Sequence, residues 1–87
     1  MSDSIKGKTV FILTYEHKYG IDVDVFSSEE NANGTIKERI FYWLGDLEEE
    51  DQLEVETAFR NMAFWSAVRV YCDLTSEQFE VRATTIL

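Results

Sequence analysis

The chain has little of what usually builds a small secreted domain. Among its 87 residues there is no proline, one cysteine, one histidine and four glycines. The single cysteine, Cys72, excludes an internal disulfide, and small secreted domains normally depend on several. No apolar run is long enough for a signal peptide core or a membrane span. We therefore expect a single domain, residues 1–87, with a flexible N-terminus at 1–7, located in the cytoplasm and not bound to a membrane.

Basic residues are also scarce. Eight lysines and arginines stand against 17 acids, which gives a formal net charge of −9. Without a positive cluster, direct binding of nucleic-acid phosphates is not expected. Two interpretations of the acidity stay open: it attracts a protein partner with a basic surface, or it serves solubility alone.

The usual parts of an active site are missing from the sequence. There is no glycine-rich phosphate loop, no serine-centred nucleophile motif, no zinc-finger spacing and no helical histidine pair. One histidine and one distant cysteine are too few ligands for zinc. Tyr71 and Asp73 beside Cys72 would not stabilise a thiolate, so we interpret this cysteine as buried and structural. The sequence therefore predicts a protein that is not an enzyme, with no cofactor and no metal.

The strongest local pattern is a β-hairpin. Residues 8–17, KTVFILTYEH, are rich in β-branched and aromatic side chains, and IDVDVF then alternates apolar and acidic residues. The KYG between them predicts a three-residue turn, with Gly20 in the left-handed position and His17 paired with Ile21. In this register one face is apolar and covered by helices, and the other is open to solvent. The apolar face carries Phe11, Leu13, Tyr15, Ile21, Val23 and Val25, and the open face carries Thr14, Glu16, Asp22 and Asp24.

The same register places His17 on the opposite face from the nearby carboxylates. Glu16, Asp22 and Asp24 could together approach a hard cation, but His17 could not join them without swinging around the end of the hairpin. We therefore interpret this end of the hairpin as a solvated acidic edge.

Helices are predicted after the hairpin. Residues 28–44 predict the first one, with a capping box from Ser27 to Glu30; Thr35 with Glu38 offers a rival start. A second helix follows through 52–59, QLEVETAF, with Leu53, Val55, Ala58 and Phe59 available for packing.

The last third of the chain is less clear. Residues 63–73 predict a third helix, although 68–74 also alternates like a strand, and the terminal EQFEVRATTIL predicts a strand. The sequence thus predicts an α+β two-layer sandwich of order β-β-α-α-(α)-β. Its three-stranded sheet consists of the hairpin and the C-terminal strand and is covered by helices on one face.

The stretch YEHKYGIDVDVFSSEENA, an aromatic-x-His-x-x-Gly-x-Asp-Val hairpin that runs into a Ser-Glu-Glu helix start, resembles small α+β proteins of bacteria and their phages. The terminal FEVRATTIL resembles them more weakly. Because that group has no established activity, the resemblance implies a fold and a genomic setting but no mechanism. A weaker likeness to acidic phage-encoded inhibitors of the anti-CRISPR or anti-restriction type implies a nuclease or CRISPR effector as partner.

The best functional candidate is the acidic segment 46–56, which contains seven acids and no base. Carboxylates along a loop and a helix can imitate the charge of a nucleic-acid backbone, although such a run can also be a solvated helix start. Aromatic residues off the apolar stripe of the first helix could anchor a partner or a second copy. We therefore expect a non-enzymatic protein-binding module, with a homodimeric accessory domain as the alternative. The candidate partner-binding residues are Asp46, Glu48, Glu49, Glu50, Asp51, Glu54, Glu56, Tyr42 and Phe41.

Overall fold

The computed structural model describes residues 7–85, in which three strands and three α-helices follow in the predicted order, and the ambiguous segment forms a helix over 64–75. The predicted flexible start at 1–7 falls, apart from Gly7, outside the described residues. The elements are β1 (Thr9–His17), β2 (Gly20–Phe26), α1 (Glu29–Trp43), a short 3-10 helix (Leu44–Asp46), α2 (Glu49–Asn61), α3 (Phe64–Thr75) and β3 (Gln78–Thr85).

The three strands form one sheet, as the sequence predicted, and the structure adds that it is antiparallel throughout with the order β2-β1-β3. Leu13 and Tyr15 of the central strand are buried on the face that α1 and α3 cover. On β3 the residues opposite them, Val81 and Phe79, point to the same side and pack against the core. The alternation of β1 and β3 was therefore predicted on the correct faces.

The register of the hairpin was predicted wrongly. The turn contains two residues, Lys18 and Tyr19, and His17 lies opposite Gly20 instead of Ile21. Gly20 has φ +134°, in the positive-φ region that favours glycine. Because side chains alternate with period two, a turn shorter by one residue moves every side chain of β2 to the other face.

The two faces of β2 are consequently exchanged. Ile21, Val23 and Val25 lie on the open face of the sheet with 61%, 60% and 63% of their surface exposed. Asp22 and Asp24 lie on the side of the helices, where Asp22 contacts His17 and Arg39. The predicted separation of His17 from Asp22 and Asp24 is therefore also wrong, whereas Glu16 does lie on the opposite face from His17.

The core lies between the sheet and the helices. Ile36 and Ile40 of α1 recur at helical spacing and are fully buried, and α2 packs against α3 through Val55. Burial of one such side chain stabilises the fold by about 1.5–3 kcal/mol. Leu53, predicted to pack, instead points outward with 63% of its surface exposed. The buried apolar residues are Leu13, Tyr15, Ala32, Ile36, Ile40, Leu44, Val55, Ala58, Ala67, Val68 and Tyr71.

The start of α1 differs by one residue from the predicted capping box. The Oγ of Ser28, and not of Ser27, caps the helix by accepting a hydrogen bond of 3.1 Å from the Asn31 backbone N–H. The helix then runs without interruption through Gly34 and Thr35, so the rival start at Thr35 is not used.

The end of α3 sets the position of Glu77. Ser76 has φ +63° and ends the helix in the left-handed conformation. The Thr75 Oγ1 donates to the Tyr71 carbonyl and accepts a hydrogen bond from the Glu77 backbone N–H. These bonds fix the short connection to β3 and direct Glu77 towards the inner face of the sheet.

Candidate functional site

The acidic segment 46–56 forms the start of α2. Asp46 ends the 3-10 helix, Glu48 precedes α2 as its N-cap, and the first turn of α2 is acidic. Carboxylates at this end of a helix face the positive pole of its dipole, which stabilises each by about 0.3–1 kcal/mol. The sequence therefore supplies charges that also help to begin the helix.

The carboxylates of the segment are directed mainly to solvent. Five of the seven are exposed and two are partly buried. No salt bridge within residues 7–85 involves any of them. The exposed acids are Asp46, Glu48, Glu49, Glu50 and Glu54, and the partly buried ones are Asp51 and Glu56.

Leu53 lies among these charges on the outer face of α2. It follows Glu49 and Glu50 by one helical turn, so the three side chains share a face. Its exposure gives the acidic segment an apolar centre. Sequence reasoning missed this feature because an apolar residue inside an amphipathic helix is normally assigned to the core.

The two candidate aromatic anchors have different environments. Tyr42 is 77% exposed, and its ring meets that of Trp43 at 84° with centroids 5.0 Å apart. Phe41 is less exposed because its ring packs against Phe59 of α2, at 5.4 Å between centroids, and Lys37 lies near both rings. Of the two, Tyr42 offers the larger surface to a partner.

A half-open cleft of about 780 Å³ adjoins the acidic segment. It lies between the hairpin turn, α1 and the connection from α3 to β3. Tyr42 and Asp46 line it, so the cleft and the acidic segment share one rim. Apart from Leu47, its remaining wall consists of polar and aromatic side chains from elements that are far apart in sequence.

Glu77 joins two tyrosines inside the cleft. Its Oε1 accepts hydrogen bonds from the Tyr15 hydroxyl at 2.6 Å and from the Tyr71 hydroxyl at 2.9 Å. Burial, followed by the hydrogen bond to Glu77 and its charge, raises the pKa of both tyrosines well above the ordinary value near 10. Both hydroxyls therefore remain protonated donors at neutral pH.

His17, Asp22 and Arg39 form a second polar group in the cleft. Asp22 Oδ2 lies 3.0 Å from His17 Nε2 and 3.4 Å from an Arg39 guanidinium nitrogen. The Tyr19 backbone N–H donates to His17 Nδ1, so in the neutral ring the proton belongs to Nε2, which donates to Asp22. The guanidinium carbon of Arg39 also lies 5.1 Å from the centre of the Tyr15 ring.

This arrangement holds and orients charged groups. The hydrogen bonds of His17 within residues 7–85 reach Asp22 and a backbone amide, but no hydroxyl or thiol. Cys72 is half-buried against the core, and burial raises the pKa of its thiol, which disfavours the reactive thiolate. Among the same residues, no group of three or more His, Cys, Asp or Glu side chains is placed to hold a metal ion.

No helix in the described part of the chain is long and apolar enough to cross a membrane. No family model matches the chain, and neither a curated protein nor a solved structure matches it.

Proposed function

We propose that the protein is a small, non-enzymatic binding module whose acidic segment docks on the basic surface of a protein partner. More specifically, we propose that the protein is an inhibitor encoded by a phage or another mobile element. It would occupy the nucleic-acid site of a nuclease or CRISPR effector. The single cysteine fits action in the reducing interior of the cell.

The observation that carries the proposal is the exposure of unpaired carboxylates along one helix start. Within residues 7–85 none of the acids of the segment has a cationic partner, and Leu53 stands exposed among them. Complementary charge steers association and fixes orientation, while a desolvated apolar centre supplies affinity. A basic groove that normally binds nucleic-acid phosphates has the positive electrostatic potential that complements these carboxylates.

The test is capture followed by charge neutralisation. The intact chain, immobilised at low salt, is exposed to extract of the cells that produce it, and the retained protein is purified. We expect its affinity to fall steeply with ionic strength, and to fall about tenfold or more when Asp46, Glu48, Glu50 and Glu54 are changed to Asn or Gln.

A matched control distinguishes the effect of where the acids lie from the effect of the change in net charge. Neutralising Glu16, Glu29, Asp73 and Glu80 also removes four exposed acids, but none lies in the segment. This variant should bind within about threefold of the unchanged chain, since long-range steering alone is altered. If both variants bind equally well, or if nothing is retained at low salt, the proposed function is wrong.

The open face of the sheet favours a second candidate, a homodimeric accessory domain. Ile21, Val23 and Val25 are more than half exposed there, and Ile12 of β1 lies beside them opposite Val25. Two such faces could pack against each other as sheets do. Sedimentation would then show a dimer that Val23→Lys converts to a folded monomer, whereas a monomer at high concentration would exclude this candidate.

A further inference from the structure

The cleft carries more negative than positive side chains. Its acidic lining residues are Asp22, Glu38, Asp46 and Glu77, and its basic ones are Lys18 and Arg39. Asp22 and Arg39 are paired with each other. The remaining three carboxylates therefore face one lysine, which favours a cationic ligand.

The cleft already shows how it holds a guanidinium group. Arg39 lies over the Tyr15 ring, and its end contacts the Asp22 carboxylate. An aromatic face with a carboxylate at its edge is the environment in which a planar guanidinium combines stacking with charged hydrogen bonds.

A similar set of groups lies on the α1 side of the cleft. Glu38 and Tyr42 are four residues apart and share one side of α1, and Asp46 follows one turn later. The perpendicular rings of Tyr42 and Trp43 form two sides of a corner. Here too an exposed aromatic surface stands beside carboxylates.

Glu77 closes the opposite side. Both tyrosine hydroxyls donate to its Oε1, and none of its hydrogen bonds within residues 7–85 uses Oε2. The tyrosines hold the carboxylate in place, so its second oxygen can accept a hydrogen bond without a change of side-chain conformation.

We propose that this cleft binds the guanidinium group of an arginine side chain presented by the partner. The inference rests on the proposed function, because it treats the acidic segment as the surface that brings a basic chain to the rim shared by Asp46 and Tyr42. The arginine stacks on the corner of Tyr42 and Trp43, and its nitrogens donate to Glu38 and Glu77.

The test uses three short peptides and the full chain. Acetyl-Gly-Arg-Gly-amide, its citrulline analogue and its lysine analogue are each titrated into the ¹⁵N-labelled protein. We expect the arginine peptide to shift the amide signals of Glu38, Tyr42, Trp43 and Glu77 and the indole N–H of Trp43. Citrulline has the same shape but no charge, so we expect it to bind about tenfold more weakly, and lysine, which lacks the planar fork, about threefold more weakly.

Variants locate the site. Tyr42→Ala and Glu38→Gln change exposed side chains and should preserve the fold, which the melting temperature checks. Each should weaken the arginine peptide about threefold or more, whereas the double change Glu48→Gln with Glu50→Gln should weaken it less.

Other outcomes overturn the inference. Equal binding of the citrulline or lysine peptide would contradict recognition of a guanidinium group. Shifts confined to residues 48–54, or no shifts at all, would show that the cleft is not the site. In both of these cases the proposed function would still be judged by the neutralisation experiment with the captured partner, so the two failures are distinguishable.

Discussion

The hydroxyl of Tyr15 donates a 2.6 Å hydrogen bond to the carboxylate of Glu77, 62 residues further along the chain. Tyr71, at 2.9 Å, donates to the same oxygen. One carboxylate thus connects the central strand of the sheet with the last turns of α3. The wall of the cleft is therefore held by contacts between elements of the tertiary structure.

Removal of this carboxylate should destabilise the protein. We expect Glu77→Ala to lower the free energy of unfolding by about 2 kcal/mol, because two part-buried hydroxyls lose their acceptor and water from the cleft replaces it only in part. Urea denaturation measures the change. The control Glu80→Ala removes an exposed acid of β3 and should cost less than about 0.5 kcal/mol. Equal effects of the two substitutions would contradict the bridging role of Glu77.

Stability should also fall at high pH. The pKa of Tyr15 and Tyr71 is raised in the folded protein, so above pH 10, the ordinary tyrosine value, the unfolded chain has lost protons that the folded chain retains. The free energy of unfolding is therefore complete below about pH 10 and decreases above it, by about 1.4 kcal/mol per pH unit for each tyrosine. Urea denaturation at a series of pH values measures the slope. Tyr71→Phe should reduce that slope, and an unchanged slope would contradict the assignment.

The register of the hairpin can be tested with two substitutions. Leu13 is buried and Val23 is 60% exposed. We expect Leu13→Ala to cost about 2–5 kcal/mol, as truncation in a core does, and Val23→Thr to cost less than about 0.5 kcal/mol. In the register with His17 opposite Ile21, Val23 would be buried and its change to Thr would be costly. A loss above about 1.5 kcal/mol for Val23→Thr would thus contradict the observed register.

Two adjacent serines at the start of α1, Ser27 and Ser28, provide a matched test of which residue is the N-cap. Ser28→Ala should lower the free energy of unfolding by about 1 kcal/mol, because the Asn31 backbone N–H loses its side-chain acceptor. The Ser27 hydroxyl does not cap the helix, so Ser27→Ala should leave stability nearly unchanged. Thermal denaturation of the two variants compares them directly, and the reverse order would place the helix start one residue earlier.

Most of the fold follows from local patterns in the sequence. Ala32, Ile36 and Ile40 in the apolar stripe of α1, the alternation of β3 and the packing positions Val55 and Ala58 of α2 were predicted on the correct faces. Trp43, which was assigned to the same stripe, is instead 44% exposed. The register of the hairpin was predicted wrongly. The alternation of apolar and acidic residues in β2 is the same whether the turn has two or three residues, so it does not reveal which face is buried. Contacts of Asp22 with Arg39 and His17, which no local pattern shows, accompany the shorter turn.

The candidate site, too, could be predicted only in part from the sequence. The acidic segment is contiguous in sequence, so its charge could be predicted. The position of Phe41 and Tyr42 off the apolar stripe predicted an exposed aromatic ring but not which of the two is the more exposed. The cleft could not, because Tyr15, Arg39 and Glu77 come from three distant elements. Placing Asp22 in it beside His17 also requires the correct register.

A competition experiment tests charge mimicry most directly. The captured partner is first bound to a labelled duplex of its own nucleic acid, and this protein is then added as the competitor. We expect the protein to displace the duplex completely. The variant neutralised at Asp46, Glu48, Glu50 and Glu54 should require a concentration at least about tenfold higher for the same displacement. A complex in which the partner holds the protein and the duplex together at saturation would contradict it.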